Sequence, residues 1–359
     1  MSSPAASSTV EPRILVSGWA GAGNVGDELL TRAMVQRLRS AGACPVIASR
    51  QPARTSALHG VESVPWGPRG WSTVASMDGV CLGPGGILQD SSSVWSLPGH
   101  LAVVLAARRR GIPIAAIGVG AEPLRRQSSR SLLRHALRDA TVITRDEAST
   151  AALAAAGVTA TTGADVVFGL DLPTVEPAAE ILVSVGGAVG PGVVSPASRR
   201  IEAPPIDAIA GALDRLAVAL GARVVLSRFR GARDADIANE LAATLVTDAE
   251  VLADDVDEHV RRVMGARLVV GSRYHPIVLA ARAGVPALVV SDQAKVRSLA
   301  QQLHDCGVRL VPSWDLVTAS SVPLAPAVGT VLPGVTTAHE SIEALVVAAG
   351  AARGNRRRG

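Results

Sequence analysis

Arg273 and His275 stand two residues apart in LVVGSRYHPIVLAARAGVPALVV, Leu268 to Val290, and set a fixed cation beside a titratable imidazole. The stretch reads as strand, polar turn, helix, strand. Leu268 to Val270 is a short apolar run, Ser272 suits a cap, and Pro276 suits the first turn of a helix reaching Ala283. In an extended turn, residues two apart point the same way, so both side chains would face one cleft beside a helix N-terminus. That combination serves a small anion whose protonation state must change. The alternative is an arginine that holds a loop and a histidine satisfied by backbone. Tyr274, the only tyrosine, lies between them, and Lys295, the only lysine, follows in SDQAKVRSLA.

Three other stretches carry groups of the same kind. GWAGAGNVGDE follows an apolar run at Arg13 to Ser17, and Gly18, Gly21, Gly23 and Gly26 allow the close backbone approach that phosphate- and sugar-binding turns need. Its spacing fits neither a dinucleotide fingerprint nor a Walker A, since no GK[ST] follows. Asn24, Asp27 and Glu28 stand at the start of the next helix, where Asp27 is either a cap or a ligand contact. GPGGILQDSSS follows a second apolar run at Val80 to Gly83 and opens on Gln89 and Asp90. Gly85 and Gly86 there either line a ligand crevice at a strand's carboxyl end or only make a tight turn. Arg145 and Asp146 in VITRDEAS read first as a structural ion pair. In SRFRGARDAD, Arg228 and Arg230 would face one way and Phe229 the other, giving two guanidiniums for a carboxylate or phosphate, or a surface charge cluster.

The elements that must position these groups alternate. Strands at Arg13–Ser17, Pro45–Ala48, Val80–Gly83 and Ile114–Gly118 are separated by helices, among them Leu29–Ala41 and Ser128–Ala140. The alternation restarts with Ile181–Val185, Ile206–Leu220, Arg223–Leu226, Ala235–Leu245 and a helix across Arg261–Met264. Valine-rich strands alternating with Ala/Leu helices in two halves predict an α/β fold of two Rossmann-like domains, whose doubly wound parallel sheets face a cleft. At 359 residues the chain also exceeds one typical core. The boundaries expected are a disordered arm at 1–12, a first domain at 13–170, a linker at 171–178 marked by prolines and acids, and a second domain at 179–333. A helix at 334–350, expected to pack back on the first domain, and a solvated basic tail at 351–359 end the chain.

Apolar residues make up 48% and aromatics 2%, so Ala, Val and Leu must fill the core. A net charge of +4 with no aromatic interleaving gives no reason to expect a nucleic-acid partner, while contact of arginines with a membrane surface stays open. Cys44, Cys81 and Cys306 have no metal-like or CxxC spacing and read as reduced residues. The start lacks the basic and apolar parts of a signal peptide, and arginines interrupt the longest apolar run, so a cytoplasmic protein is expected. The seven histidines are scattered without ligand spacing, so no metal is expected and activity should survive chelation.

Together, GAGNVGDELL, GPGGILQD, VITRDEAS and GSRYHPIVLAARAGVPALVVSDQAKV span Ile14 to Leu299, and this set resembles the polysaccharide pyruvyltransferase family. The resemblance implies an architecture like that of GT-B glycosyltransferases and a transferase that needs no cofactor, with phosphoenolpyruvate as donor. Two hydroxyls of a sugar, lipid-linked or nucleotide-linked, would receive the pyruvyl unit as a cyclic ketal, with release of phosphate, in cell-surface polysaccharide or glycoconjugate synthesis. Arg273 and His275 match the family's Arg-x-His pair for donor binding and acid catalysis. Arg228 or Arg230 would join Arg273 on the carboxylate and phosphate, Lys295 would take the phosphate, and Asn24, Asp27, Gln89 and Asp90 would line the acceptor side. The competing readings are a GT-B glycosyltransferase that uses a nucleotide-activated sugar and a non-catalytic sugar- or nucleotide-binding protein.

Overall fold

The computed structural model describes residues 11–186, 205–291, 293–311, 314–321, 332 and 334–358. Residues 1–10 of the expected arm, residues 187–204 and most of residues 312–333 lie outside these. The chain divides into two compact units: residues 1–22, 30–166 and 333–359 form the first, and residues 23–29 and 167–332 form the second. The segment Gly23–Leu29, expected in the first domain, therefore groups with the second unit, and the division falls at Val166 rather than at residues 171–178.

The first unit alternates throughout: β1 (Arg13–Ser17), α1 (Val25–Ser40), β2 (Cys44–Ser49), α2 (Pro52–His59), β3 (Glu62–Pro65), α3 (Pro68–Trp71), β4 (Gly79–Leu82), β5 (Gly85–Leu88), α4 (Ser96–Arg108), β6 (Ile114–Ala121), α5 (Gln127–Leu137), β7 (Thr141–Thr144), α6 (Glu147–Ala155) and β8 (Thr161–Thr162). Its parallel sheet runs β3-β2-β1-β4-β6-β7-β8, with β5 paired to β6. Strands covered on both faces read as continuous apolar runs, which is why CPVIAS and GVCL are buried almost throughout.

The second unit repeats the plan with β9 (Glu180–Ser184), α7 (Ile206–Leu220), β10 (Arg223–Leu226), α8 (Ala232–Thr244), β11 (Ala249–Val251), α9 (Val256–Gly265), β12 (Leu268–Gly271), α10 (Tyr274–Ala283), β13 (Ala287–Val289), α11 (Ala294–Gln302), β14 (Val308–Leu310) and α12 (Leu316–Ser321). The order β11-β10-β9-β12-β13-β14 reverses direction between β9 and β12, as the first sheet does between β1 and β4. Such a reversal opens a crevice at the carboxyl ends of the two strands, where α/β sheets hold ligands.

Several helix ends depart from the sequence reading, three of them with a visible cause or contact. α1 begins at Val25 rather than Leu29, because Asn24 Oδ1 accepts from the Gly26 N–H at 3.0 Å and caps the helix while Gly26 lies within it. α9 begins at Val256, where Asp255 accepts from the N–H groups of Asp257 and Glu258 at 2.8 and 3.1 Å, and two acids fill the first turn. α13 (Gly334–Arg358), in the first unit, runs through what reads as a solvated tail. Its Arg353 and Arg356 donate to the buried carboxylate of Asp78 at 2.7 and 2.6 Å. Burial alone would raise the Asp78 pKa, but the Arg13 N–H and these guanidiniums outweigh it and hold the carboxyl below its ordinary range.

Candidate active site

In the second unit, Arg273 and His275 leave β12 at the point where the strand order reverses. The Ser272 N–H donates to the Ser184 carbonyl at 3.0 Å, and Ser272 Oγ accepts from the Gly186 N–H at 3.2 Å. Ser272 thus ties the turn to the end of β9 instead of capping α10, and Arg273 occupies the cap position with extended backbone. The guanidinium of Arg273 lies against Gly186, where a Cβ would overlap it. Its partner is Asp234 in the first turn of α8, which is fully buried. Arg273 donates to Asp234 through Nε at 3.3 Å and through Nη2, and the Arg230 backbone N–H adds a third donor at 2.9 Å. A guanidinium has five N–H groups, so the pair fixes its plane, and among the described residues no acceptor other than Asp234 takes its N–H groups.

His275 sits in the first turn of α10, its ring in a T-shaped contact with Tyr274 at 5.4 Å between centroids. Nδ1 lies where a Cβ on Gly26 would stand. The segment that carries Gly26 is held in this unit by the Val25 N–H, which donates to the Phe229 carbonyl at 2.8 Å. Within that segment Asn24 Nδ2 donates to Asp27 Oδ2 at 2.7 Å. Both residues thus stand in the second unit, not among first-domain groups.

Arg228 and Arg230 part company. Phe229 is buried at 1% exposure in an edge contact with His259, as the alternation predicts. Arg228 donates Nε to the Leu252 carbonyl at 2.8 Å and lies 3.5 Å from Asp254. Arg230 stays near Arg273: burial, then the guanidiniums of Arg273 and Arg233, lower its pKa, while Asp234 and Asp27 work against the shift. Arg230 thus shares an electrostatic neighbourhood with Arg273, Arg233, Asp234 and Asp27, whereas Arg228 is turned to Leu252 and Asp254. Lys295 is exposed in the first turn of α11, after β13, at the same sheet edge as Arg273.

In the first unit the two glycine turns meet. A Cβ on Gly18 would lie 3.0 Å from the Pro84 carbonyl oxygen, so the turn after β1 packs on the turn after β4. Asp90 is 2% exposed, and its oxygens accept from the Arg125 and Arg126 N–H groups at 2.9 and 3.0 Å. That carboxylate joins two segments and is no open contact for an acceptor. Gln89 accepts from the Ser91 and Ser92 N–H groups at 2.8 and 3.0 Å and shapes its own turn. Arg145 pairs with Asp146 at 3.1 Å, and Asp146 caps α6 by accepting from the Ser149 N–H at 2.7 Å.

Sequence reasoning missed Asp234 and the roles of Gly26 and Gly186. Asp234 is visible in SRFRGARDAD, but nothing local distinguishes it from the other acids there.

Two parallel sheets, each reversing order at a pair of loop-bearing strands, define a GT-B-like α/β protein. Solved structures agree: a UDP-GlcNAc 2-epimerase from Methanocaldococcus jannaschii has a TM-score of 0.58 at 10% identity, covering 93% of this chain and 99% of that one. The S. aureus MnaA–UDP co-structure follows at 0.57 and 12%, covering 92% and 94%. The UDP-N-acetylglucosamine 2-epimerase from Rickettsia bellii gives 0.55 and 12%, covering 94% and 96%. No curated protein matches the sequence. The sequence model of the polysaccharide pyruvyl transferase family matches residues 24–293, and the chain belongs to that family of transferases.

Proposed function

We propose that the protein transfers the pyruvyl unit of phosphoenolpyruvate to two hydroxyls of one sugar, forming a cyclic ketal and releasing phosphate. The observation that carries this reading is the placement of Arg273 and His275 at the reversal point of the second sheet, with the guanidinium fixed on Asp234. Phosphoenolpyruvate brings a carboxylate and a phosphate, and the guanidinium of Arg273, with Arg230, offers fixed positive charge to both. Lys295 at the same sheet edge adds an ammonium for the phosphate.

Its enol carbon becomes electrophilic once the methylene is protonated. His275 supplies that proton as general acid, and one sugar hydroxyl then adds to the carbon. The bond to phosphate breaks with its electron pair, and the second hydroxyl closes the ketal. Of the two protons lost by the hydroxyls, one restores His275 and the other leaves with phosphate. Cationic side chains hold the anions, and activity should survive chelation. Asn24 and Asp27, beside Gly26, and Gln89 are the remaining candidates for acceptor contacts.

The test is phosphate release from phosphoenolpyruvate with a panel of nucleotide-linked and lipid-linked sugars. Release should need both an acceptor and His275, and the acceptor should gain the mass of a pyruvyl ketal. His275→Ala should abolish turnover with donor affinity retained, and Arg273→Ala should weaken donor binding. Glycosyl transfer from a nucleotide sugar with no such release would favour the competing reading.

A further inference from the structure

The chain is poor in aromatic residues, yet three of its five tryptophans gather at one edge of the first sheet. Trp19 follows β1, Arg50 follows β2 and Trp66 follows β3, three neighbouring parallel strands, so all leave the sheet at its carboxyl edge. The Arg50 guanidinium carbon lies 4.0 Å from the ring centroid of Trp19 and 4.9 Å from that of Trp66. The indoles meet edge to face at 6.1 Å, and His100 packs at 4.9 Å from Trp19 and 5.3 Å from Trp66. His100 is fully buried, and neither of its ring nitrogens has a hydrogen-bond partner among the described residues.

The backbone here is equally constrained. The Arg50 N–H donates to the Ala20 carbonyl at 3.1 Å, and the Trp66 N–H donates to the Ser49 carbonyl at 2.7 Å. Gly21, with φ of 72°, lies against Ser49 Oγ and the backbone of Arg50, so the glycine turn after β1 packs on the residue that carries the cation. Arg50 itself is exposed, and among the described residues no carboxylate pairs with it. Cation–π contacts with two indoles hold a guanidinium in place without neutralising it. An exposed cation fixed in this way, at the carboxyl edge of a doubly wound sheet, is prepared for a negatively charged group.

We infer that Arg50, held across Trp19 and Trp66, is an anion-binding subsite, and that the sugar accepted there carries a phosphate or a carboxylate close to its ring. That this sugar is the acceptor rests on the pyruvyl-transfer reading; the binding site does not. The indoles flank the anion with apolar faces of the kind on which sugar C–H groups pack. Trp19 and Trp66 are positioning residues for Arg50, and Arg50 selects charge.

The experiment titrates the full-length protein by tryptophan fluorescence, since three of the five reporters lie in the cluster. The probes are the 1-phosphates of glucose, galactose, mannose and N-acetylglucosamine, then glucuronate and galacturonate, and the neutral methyl glycosides. At least one charged sugar should give a saturable change with a Kd at least tenfold below that of its neutral counterpart. Arg50→Gln should raise that Kd at least tenfold, and Arg50→Lys should recover part of the loss. Tighter binding of the 1-phosphates identifies a glycosyl phosphate, and tighter binding of the uronates identifies an acidic sugar. Equal binding of neutral and charged sugars, unchanged affinity in Arg50→Gln, or no saturable change with any probe overturns the inference.

The melting-temperature shift produced by phosphoenolpyruvate should be the same in Arg50→Gln as in the parent, which shows that the variant is folded and its donor site intact. Charged-sugar binding without phosphate release in any mixture would remove the pyruvyl-transfer reading and leave the subsite standing. Pyruvyl transfer that works best on a neutral sugar would do the reverse.

Discussion

Asp234 holds Arg273 through two hydrogen bonds from Nε and Nη2, and the carboxylate that does so has no exposed surface. A buried acid paired with a half-buried cation orients the cation more than it stabilises the fold, because desolvation offsets much of the attraction. Asp234→Asn keeps the shape and removes the charge. It should lower kcat/KM for phosphoenolpyruvate about tenfold to a hundredfold, with the KM of the acceptor little changed, a loss of about 1–3 kcal/mol of transition-state binding. Unchanged kcat/KM for the donor would show that the remaining contacts suffice to place Arg273.

Gly26 is a second point of control. It lies within α1 and has ordinary backbone geometry, so an alanine is tolerated there by the helix. The added Cβ would fall on the His275 imidazole. Gly26→Ala should cut kcat at least tenfold by moving the ring, and should leave the phosphoenolpyruvate melting-temperature shift within twofold of the parent. Steady-state kinetics beside that shift separates the two effects, and a variant with parental kcat would refute the close approach.

Burial, with Arg50 nearby, pushes the His100 pKa down from 6.5 to about 4. Between these values the unfolded chain binds the proton that the folded chain refuses. Stability is therefore complete above about pH 6.5 and falls with pH until about pH 4, where about 3 kcal/mol has been lost. His100→Leu removes this dependence. Urea midpoints at pH 7 and pH 4.5 should lie closer together in the variant than in the parent, and an equal gap in both would mean that His100 is not buried neutral.

Asp78, just before β4, joins α13 to the first sheet through Arg353 and Arg356. Its removal leaves two guanidiniums and the Arg13 N–H without their acceptor. Asp78→Ala should cost about 2–4 kcal/mol in urea unfolding, and a chain that ends at Ala349 should lose a comparable amount. In the double variant the losses should fall well short of additive, because both changes break the same contacts. Full additivity would place the effect elsewhere.

The sequence by itself determined the alternation of buried strands and helices, and so the two parallel sheets, because a strand covered on both faces must be a continuous apolar run. It also determined that Arg273 and His275 share one turn, since a separation of two residues is a local property. Ile206–Leu220 and Arg223–Leu226 match the structure residue for residue, because a glycine stop and a change of period mark their ends. Local capping was harder to read: Asn24 and Asp255 start helices earlier than the hydrophobic pattern indicates.

Only the tertiary structure decided which loop ends meet. Strand order brings Asp234 to Arg273 across 39 residues, and it sets Gly26 against His275 and Arg50 across Trp19 and Trp66. Asp90 shows the same limit from the other side: its polar loop suggests a ligand contact, whereas its oxygens are spent on the backbone of a distant segment. Side-chain periodicity encodes which face is buried. The pairing of loops at neighbouring strand ends depends on sheet order and register, and these arise from the sum of many weak packing contacts rather than from any one motif.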